Sequence, residues 1–407
     1  MNDQQKQQLV TQAIESGAGI FRLTPTWVPR SFCVPGRRLR LHPRDLYALG
    51  AHRGGIDERW FSSTVHADNG PLTPDDEGLS YINVEGETVS LLDAIGFMGA
   101  DILGKAVMDQ HGGWMMYSKF FDNMYPLPHH VHQSDEYAAH VGRVGKPEAY
   151  FYPPQYNFAL DTFPYTFFGV EPGTTKDQVI DCLKRWDEGD NGILGLSKAY
   201  RLIPGTGWDV PPGILHAPGT LCTYEPQRAS DVFSMWQSLI ADYQVVDRSF
   251  LVKDVPEDKW YDYDYLIGML DWDANADPEF KKNHFTEPRP VRDPEAMHAD
   301  GFHEDWIVYG SDYYSAKELT VYPGRTVTII DPVAYGLICV QGYGQFGRFT
   351  ISSPSLIRYG EMTEDEFFVS APAAQNGVQI SNLSSTEPLV ILKHFNPGNP
   401  NMPQRST

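Results

Sequence analysis

"PHHVHQSDEY", residues 128–137, places three of the chain's 13 histidines within four positions. In an extended strand His130 and His132 share one face while His129 and Val131 share the other, so the spacing predicts a two-imidazole claw suited to a metal ion. Further on, "GTGWDVPPGILHAPGT", residues 205–220, runs a glycine, five residues, Pro-x-Gly, two residues and a histidine in unbroken order. Pro-Pro-Gly predicts a tight turn that aims the following strand, and His216 then reaches back toward the first pair. The spacing leaves two candidates for a carboxylate ligand, Glu136 and Glu148, of which Glu148 starts an alternating strand. Imidazoles with a carboxylate suit zinc, manganese, iron, cobalt or nickel.

Around these stretches the chain alternates like strands in "EAYFY" (148–152), "SKAYRLIP" (197–204), "ELTVYPGRTVTIID" (318–331), "YGLICVQGYGQFGRFTI" (335–351), "DEFFVSA" (365–371) and "PLVILKHF" (388–395). Helical spacing is confined to residues 5–16, to residues 89–107 with interrupting glycines, and to the segment opened by Thr175 and Gln178 at capping-box spacing, with Val179, Ile180, Leu183 and Trp186 along one face. The expectation is a mainly β protein of two β units with a small helical elaboration. Residues 1–252 form the metal-binding unit, 253–300 a connecting segment rich in Pro, acids and aromatics that packs on the surface, and 301–407 a second unit. That second unit has neither His-x-His nor Pro-x-Gly-x-x-His and is expected to hold no metal. Its "VQGYGQFGRF" reads as β-turns, not as a phosphate loop, because no helix start follows.

Bulk properties exclude several classes. With 53 acidic and 32 basic residues the formal net charge is −21, which repels nucleic-acid backbones and anionic lipid surfaces. The first residues lack the succession of charged, apolar and small residues of a secretory signal, and no apolar run reaches membrane-spanning length. Cys33, Cys182, Cys222 and Cys339 are scattered without a paired motif, as in a reducing compartment. A cytoplasmic protein acting on a small molecule is expected, and a homodimer is compatible with the sequence.

The ordered pair of motifs resembles the two signatures of the cupin superfamily, and a longer stretch resembles the type I phosphomannose isomerases, bicupins of two jelly-roll β-barrels with a catalytic metal. "ERWFSSTVHADNGPL" is similar to the family's early Glu-x-Trp segment, "WMMYSKFFDNMYPLPHHVHQSDEYA" to the stretch ending in its first ligands, "GKPEAYFY" to its Gly-Lys-x-Glu strand and "PPGILHAPGTLCTYEPQRASD" to its Gly-x-x-His-Ala segment with a following Glu and Ser-Asp. The resemblance implies a metal site of His130, His132, Glu148 and His216, since Glu136 matches a family position that is not a ligand. It implies active-site roles for Lys119, Lys146 and Glu225, with Lys146 or Glu225 as proton carrier and Lys119 as electrostatic support. It implies one divalent ion, zinc before manganese, iron, cobalt or nickel, and an aldose–ketose isomerisation of a sugar or sugar phosphate. This chain departs from the pattern at His130, which replaces a glutamine, at Pro128, which replaces a serine, and at Met235, where an arginine is expected. Arg143, Arg201 and Arg228 are the cations that could replace that arginine. Two other readings accompany the first: a cupin-type oxygenase, and a non-catalytic sugar-binding bicupin.

Overall fold

The computed structural model describes residues 1–159 and 163–405, so the last two residues of the expected second unit lie outside it. Alternation in the sequence becomes two pairs of antiparallel sheets. In the first pair, a seven-stranded sheet runs Phe285–Thr286, Gly207–Val210, Glu148–Phe151, Thr223–Arg228, Met116–Phe121, Gly55–Phe61 and Thr26–Arg30 in spatial order. It faces a five-stranded sheet of Ser197–Arg201, Tyr165–Val170, His216–Ala217, His130–Val131 and Ser234–Met235. Between them Phe121, Tyr150, Trp208 and Val210 of one sheet pack on Phe168 of the other, which is the two-layer burial that alternating strands require.

The second pair repeats the plan. A seven-stranded sheet ordered Ile20–Arg22, Glu366–Val369, Tyr335–Gln341, Leu389–Phe395, Ser315–Val321, Phe302–Val308 and Arg289–Pro290 faces a four-stranded sheet of Thr326–Ile329, Val378–Asn382, Tyr343–Phe346 and Phe349–Ser352. Each unit is therefore an open two-sheet jelly roll of the cupin type; among the described residues its two sheets are not hydrogen-bonded into a closed barrel.

Sheet membership crosses the boundaries expected from the sequence. The strand Ile20–Arg22 pairs with Glu366–Val369 in the second unit, where Phe21 stacks on Phe368. Residues 253–300 do more than connect. Phe285–Thr286 extends the first unit's large sheet and Arg289–Pro290 extends the second's. Short helices Tyr263–Gly268 and Trp272–Asn275, N-capped by Asp262 and Asp271, bring Leu266, Ile267, Met269 and Leu270 into a core with Val131, Trp186, Leu215 and Trp236. That layer covers the back of the histidine-bearing sheet. The helix Lys176–Lys184 has the expected capping box at Thr175 and Gln178 and joins the same core through Val179 and Leu183. The residue 89–107 pattern resolves into helices Leu91–Leu103 and Lys105–His111, broken at Gly104 (φ 88°). Among the described residues no helix is long and apolar enough to cross a membrane, and the four cysteines are free.

Candidate metal centre

Local backbone chemistry sets the three histidines. His216 pairs directly with His130 across antiparallel strands, so both imidazoles project from the same face into the space between the sheets. Gly213, at φ 82°, makes the turn before His216; its N–H donates to the His132 carbonyl at 2.8 Å, and a Cβ there would meet the Asp271 amide at 2.9 Å. Only glycine combines that φ with that approach. The ring centroids of His130 and His216 lie 4.2 Å apart, and those of His132 lie 4.9 and 5.1 Å from them.

Each ring is anchored by the same device. Nδ1 of His130 donates to the Pro128 carbonyl at 2.7 Å, Nδ1 of His132 to Val232 at 2.7 Å and Nδ1 of His216 to Ile214 at 2.8 Å. With the proton on Nδ1, the Nε2 lone pair of every ring is aimed inward, that of His132 accepting from Lys146 Nζ at 3.1 Å, the orientation in which imidazoles ligate a metal. One ligating nitrogen per ring lies within 4.8 Å of the others. Glu148 completes the set, with Oε2 3.0 Å from His132 Nε2 and Oε1 3.1 Å from His216 Nε2. The Lys146 ammonium bridges the His132–Glu148 pair, but the His216 and Glu148 lone pairs face one another at 3.1 Å, which is repulsive unless a cation lies between them. The spacing is of the order that ligand bonds of roughly 2.0–2.2 Å to a shared ion would set. His216 Nε2 is moreover buried with no hydrogen-bond donor to satisfy it. The four residues fit a divalent cation.

Burial, then the neighbouring His216 and His132, keeps the His130 imidazole neutral, far below its ordinary pKa; burial and then the Lys146 ammonium push His132 down to about 4. Burial alone would raise Glu148, but Lys146 and His132 outweigh it and hold the carboxylate ionised, well below the usual range. Neutral imidazoles and an ionised carboxylate are the protonation states a metal needs.

Beside the ligands runs an ionic row on the inner face of the seven-stranded sheet. Lys146 Nζ lies 3.0 Å from Glu148 Oε2, 3.1 Å from His132 Nε2 and 3.6 Å from Glu225 Oε1. Lys119 lies 3.3 Å from Glu225 and 3.2 Å from Glu58, a consequence of the Glu225–Lys119 cross-strand register. Arg30 then bridges Glu58 and Asp231, at 3.2 and 2.9 Å. Burial, reinforced by Glu148, pushes the Glu225 carboxyl up to about 8 even though Lys119 and Lys146 pull it down. Glu225 and Glu148 line the cavity with Phe32, Phe233 and Met235. Its free volume of about 40 Å³ holds a few water molecules, so a sugar enters only if side chains such as the Phe32–Phe233 pair, 5.8 Å between centroids, move apart.

Several other sequence candidates lie elsewhere. Glu136 is exposed on the helix Asp135–Ala139, away from the ligands. His129 turns to the opposite face, where it is buried against Phe167 with its N–H bonded to Gln237. His140 is exposed and bonds Tyr265. Lys119 and Lys146, by contrast, are buried in the cavity wall beside Glu225. Of the replacement arginines, Arg143 pairs with Asp68, Arg228 with Asp135, and Arg201 stacks on Phe163; none lines the cavity. Met235 sits directly across from His130. Sequence reasoning gave no role to Arg30, Phe32, Tyr150 or Phe233. Arg30 has no motif and is recognisable only through its two carboxylate partners, whereas Glu58 and Asp231 lie in the Glu-x-Trp and Ser-Asp stretches.

The fold and the site define a bicupin with the architecture of the phosphomannose isomerases. No protein-family model and no curated protein matches the sequence. Among solved structures, mannose 6-phosphate isomerase from Bacillus subtilis superposes with a TM-score of 0.61 at 14% identity, covering 93% of this chain and 99% of that one. A variant of phosphomannose isomerase from Salmonella typhimurium gives 0.59 at 14% identity over 93% and 100% of the two chains. A mannose 6-phosphate isomerase bound with zinc and yttrium gives 0.59, also at 14% identity and the same coverage.

Proposed function

We propose that the chain is a metal-dependent isomerase that interconverts an aldose and a ketose. The observation that carries this reading is the convergence of three Nδ1-anchored histidines and Glu148 beside a buried carboxyl, Glu225, whose pKa of about 8 lies close to neutrality. His130, His132, Glu148 and His216 would hold the ion; zinc is the proposed metal, because a solved structure of the same fold carries it. Bound there, a divalent ion supplies Lewis-acid polarisation of the substrate carbonyl and the adjacent hydroxyl.

The chain's own residues account for the proton movements. Ionised Glu225 takes the proton from the carbon bearing the hydroxyl and returns it to the neighbouring carbonyl carbon. The hydroxyl proton passes to the former carbonyl oxygen, so one C–H and one O–H break and one of each forms. A group that must both accept and return a proton works best with a pKa near the operating pH. Lys119 and Lys146, on either side of Glu225, stabilise negative charge on the oxygens during transfer. Tyr150 donates to Glu148 Oε1 and fixes that carboxylate's orientation.

The cavity's cations are all engaged. Arg30, Lys119 and Lys146 face Glu58, Glu148, Glu225 and Asp231, three positive charges against four carboxylates. A dianionic phosphate finds no free guanidinium there, which favours an unphosphorylated sugar over a sugar phosphate. The acidic surface and free cysteines support a cytoplasmic protein without nucleic-acid or membrane partners.

The test is anaerobic incubation of the metal-loaded protein with free and phosphorylated aldoses and ketoses, read by sugar chromatography. Oxygen-independent interconversion that disappears on chelation is expected. Turnover that requires oxygen, or tight sugar binding with no interconversion, would replace the proposal with an oxygenase or a binding protein.

A further inference from the structure

A second cavity, of about 860 Å³, lies at the seam between the two β units. Its wall comes from the N-terminal segment "GRRLR", residues 36–40, from Gln155 and Tyr156 of the first unit and from residues 340–343 and 352–356 of the second. In a chain with a net charge of −21 the lining is of the opposite sign: Arg37, Arg38 and Arg40 against Glu387 alone.

The arginines are unequal. Arg38 is held by Asp122 at 2.7 Å. Arg40 spends its donors on neutral acceptors, the Ser353 hydroxyl and the carbonyls of Pro354 at 2.9 Å and Val340 at 3.2 Å, while its guanidinium lies 4.3 Å over the Tyr156 ring. Among the described residues it has no carboxylate partner, and neither does the exposed Arg37. Half-buried guanidinium with its charge uncompensated is the usual partner of a phosphate or carboxylate. A second observation is independent of charge: Gln155 lines the same cavity, and its Oε1 is buried with no hydrogen-bond donor. A buried acceptor without a partner is uncommon and calls for an O–H or N–H from a ligand. Interfaces between folded units are preferred places for small-molecule sites.

We infer that the seam cavity binds a small phosphate monoester carrying a hydroxyl group, its phosphate on Arg37 and Arg40 and its hydroxyl donating to Gln155. The site is separate from the metal centre. Tyr156 packs on Phe120 at 4.6 Å, and Phe120 lies on the opposite face of the strand that turns Lys119 toward the metal ligands.

The test is calorimetric titration of the full-length protein with glycerol 1-phosphate and with inorganic phosphate at low salt, on metal-loaded protein and on protein treated with chelator and dialysed. One site per chain is expected in both preparations. Arg40→Met and the exposed Arg37→Glu should each weaken both probes about tenfold or more, and Gln155→Leu should weaken glycerol 1-phosphate only. Arg40 also ties three backbone segments together, so if Arg40→Met fails to fold, Arg37→Glu carries the test. Absence of binding at millimolar concentration, binding lost on chelation, or affinity unchanged by Arg37→Glu would overturn the inference.

Discussion

Each of the two β units places a charged cluster on a seven-stranded sheet, and the two use it differently. In the second unit Lys317 and Lys393 stand directly opposite one another across strands, a like-charge pairing that would be destabilising alone. Asp331 accepts from both at 2.6 Å, and Glu304 forms an ion pair with Lys393, so two ammonium groups and two carboxylates neutralise one another. In the first unit the row has one carboxyl group more than it has cations and abuts three imidazoles whose lone pairs face inward. The second cluster is closed on itself. The first keeps one carboxyl beyond its cations, Glu225, pushed up to about 8, beside imidazole nitrogens that face inward, and that difference sets it apart from a closed ionic core on the same scaffold.

The strongest way to break the comparison is His216→Ala. It removes one ligand and the inward partner of His130, and stoichiometric metal binding should be lost together with isomerase activity. Metal content after dialysis, by elemental analysis, reads the result, and full retention would refute the ligand set. The equivalent insult in the second unit, Lys393→Met, should leave metal content intact. It strands Asp331 and Glu304 with one ammonium between them and should cost about 3–5 kcal/mol of stability, the range for breaking a buried pair, measured by urea unfolding. Should Lys393→Met lower metal content instead, the two clusters would not be functionally separate.

Glu225→Gln sharpens the comparison within the first unit. It keeps shape and metal content but removes the proton carrier, so kcat should fall about 10²–10⁴-fold. The limb of the pH–rate profile set by that carboxyl should vanish. A rise in KM alone, with kcat preserved, would leave Glu225 a substrate-positioning group and return the base role to Lys146.

Much of the first unit was legible because its chemistry is local. His-x-His and Pro-x-Gly-x-x-His bring three histidines together by strand alternation and one obligatory turn, and the capping box at Thr175 states its helix start outright. Spacing left Glu136 and Glu148 both open: the helix that Ser134 caps carries Glu136 into solvent, whereas Glu148, twelve residues on, lies beside His132 and His216. Arg30 and the aromatic pair Phe32 and Phe233 were invisible for another reason: their roles come from contacts about 200 residues away, such as Arg30 with Asp231. The segment 253–300 read as a connection because its apolar residues are interspersed with acids and prolines. Two of those acids, Asp262 and Asp271, are helix N-caps, and Leu266, Ile267 and Leu270 fill the gap left behind the histidine sheet. The N-terminal strand's exchange into the second unit carries no local signature, since a three-residue strand pairs wherever the topology delivers it.

The smallest predicted effect lies at the seam where the units meet. Arg59, from the first unit's strand Gly55–Phe61, reaches Asp365 at 2.8 Å and Glu366 at 3.1 Å on the second. One guanidinium serves two adjacent carboxyls, and all three groups are buried. Burial, with Asp365 beside it, pushes the Glu366 carboxyl up to about 8 against the pull of Arg59. Its folded-state pKa thus exceeds the unfolded value of roughly 4.3. The native state binds the proton more tightly, so this group's contribution to stability is complete below the unfolded pKa and is lost as pH rises through about 8. Glu366→Gln keeps the neutral shape and removes the titration. Urea midpoints measured from pH 4.5 to 8.5 should decline less steeply in the variant than in the parent, while Glu225, also raised to about 8, keeps part of the slope in both. Parallel curves would mean that Arg59 holds Glu366 ionised throughout, making the seam a second closed ionic core like that of Lys317 and Lys393.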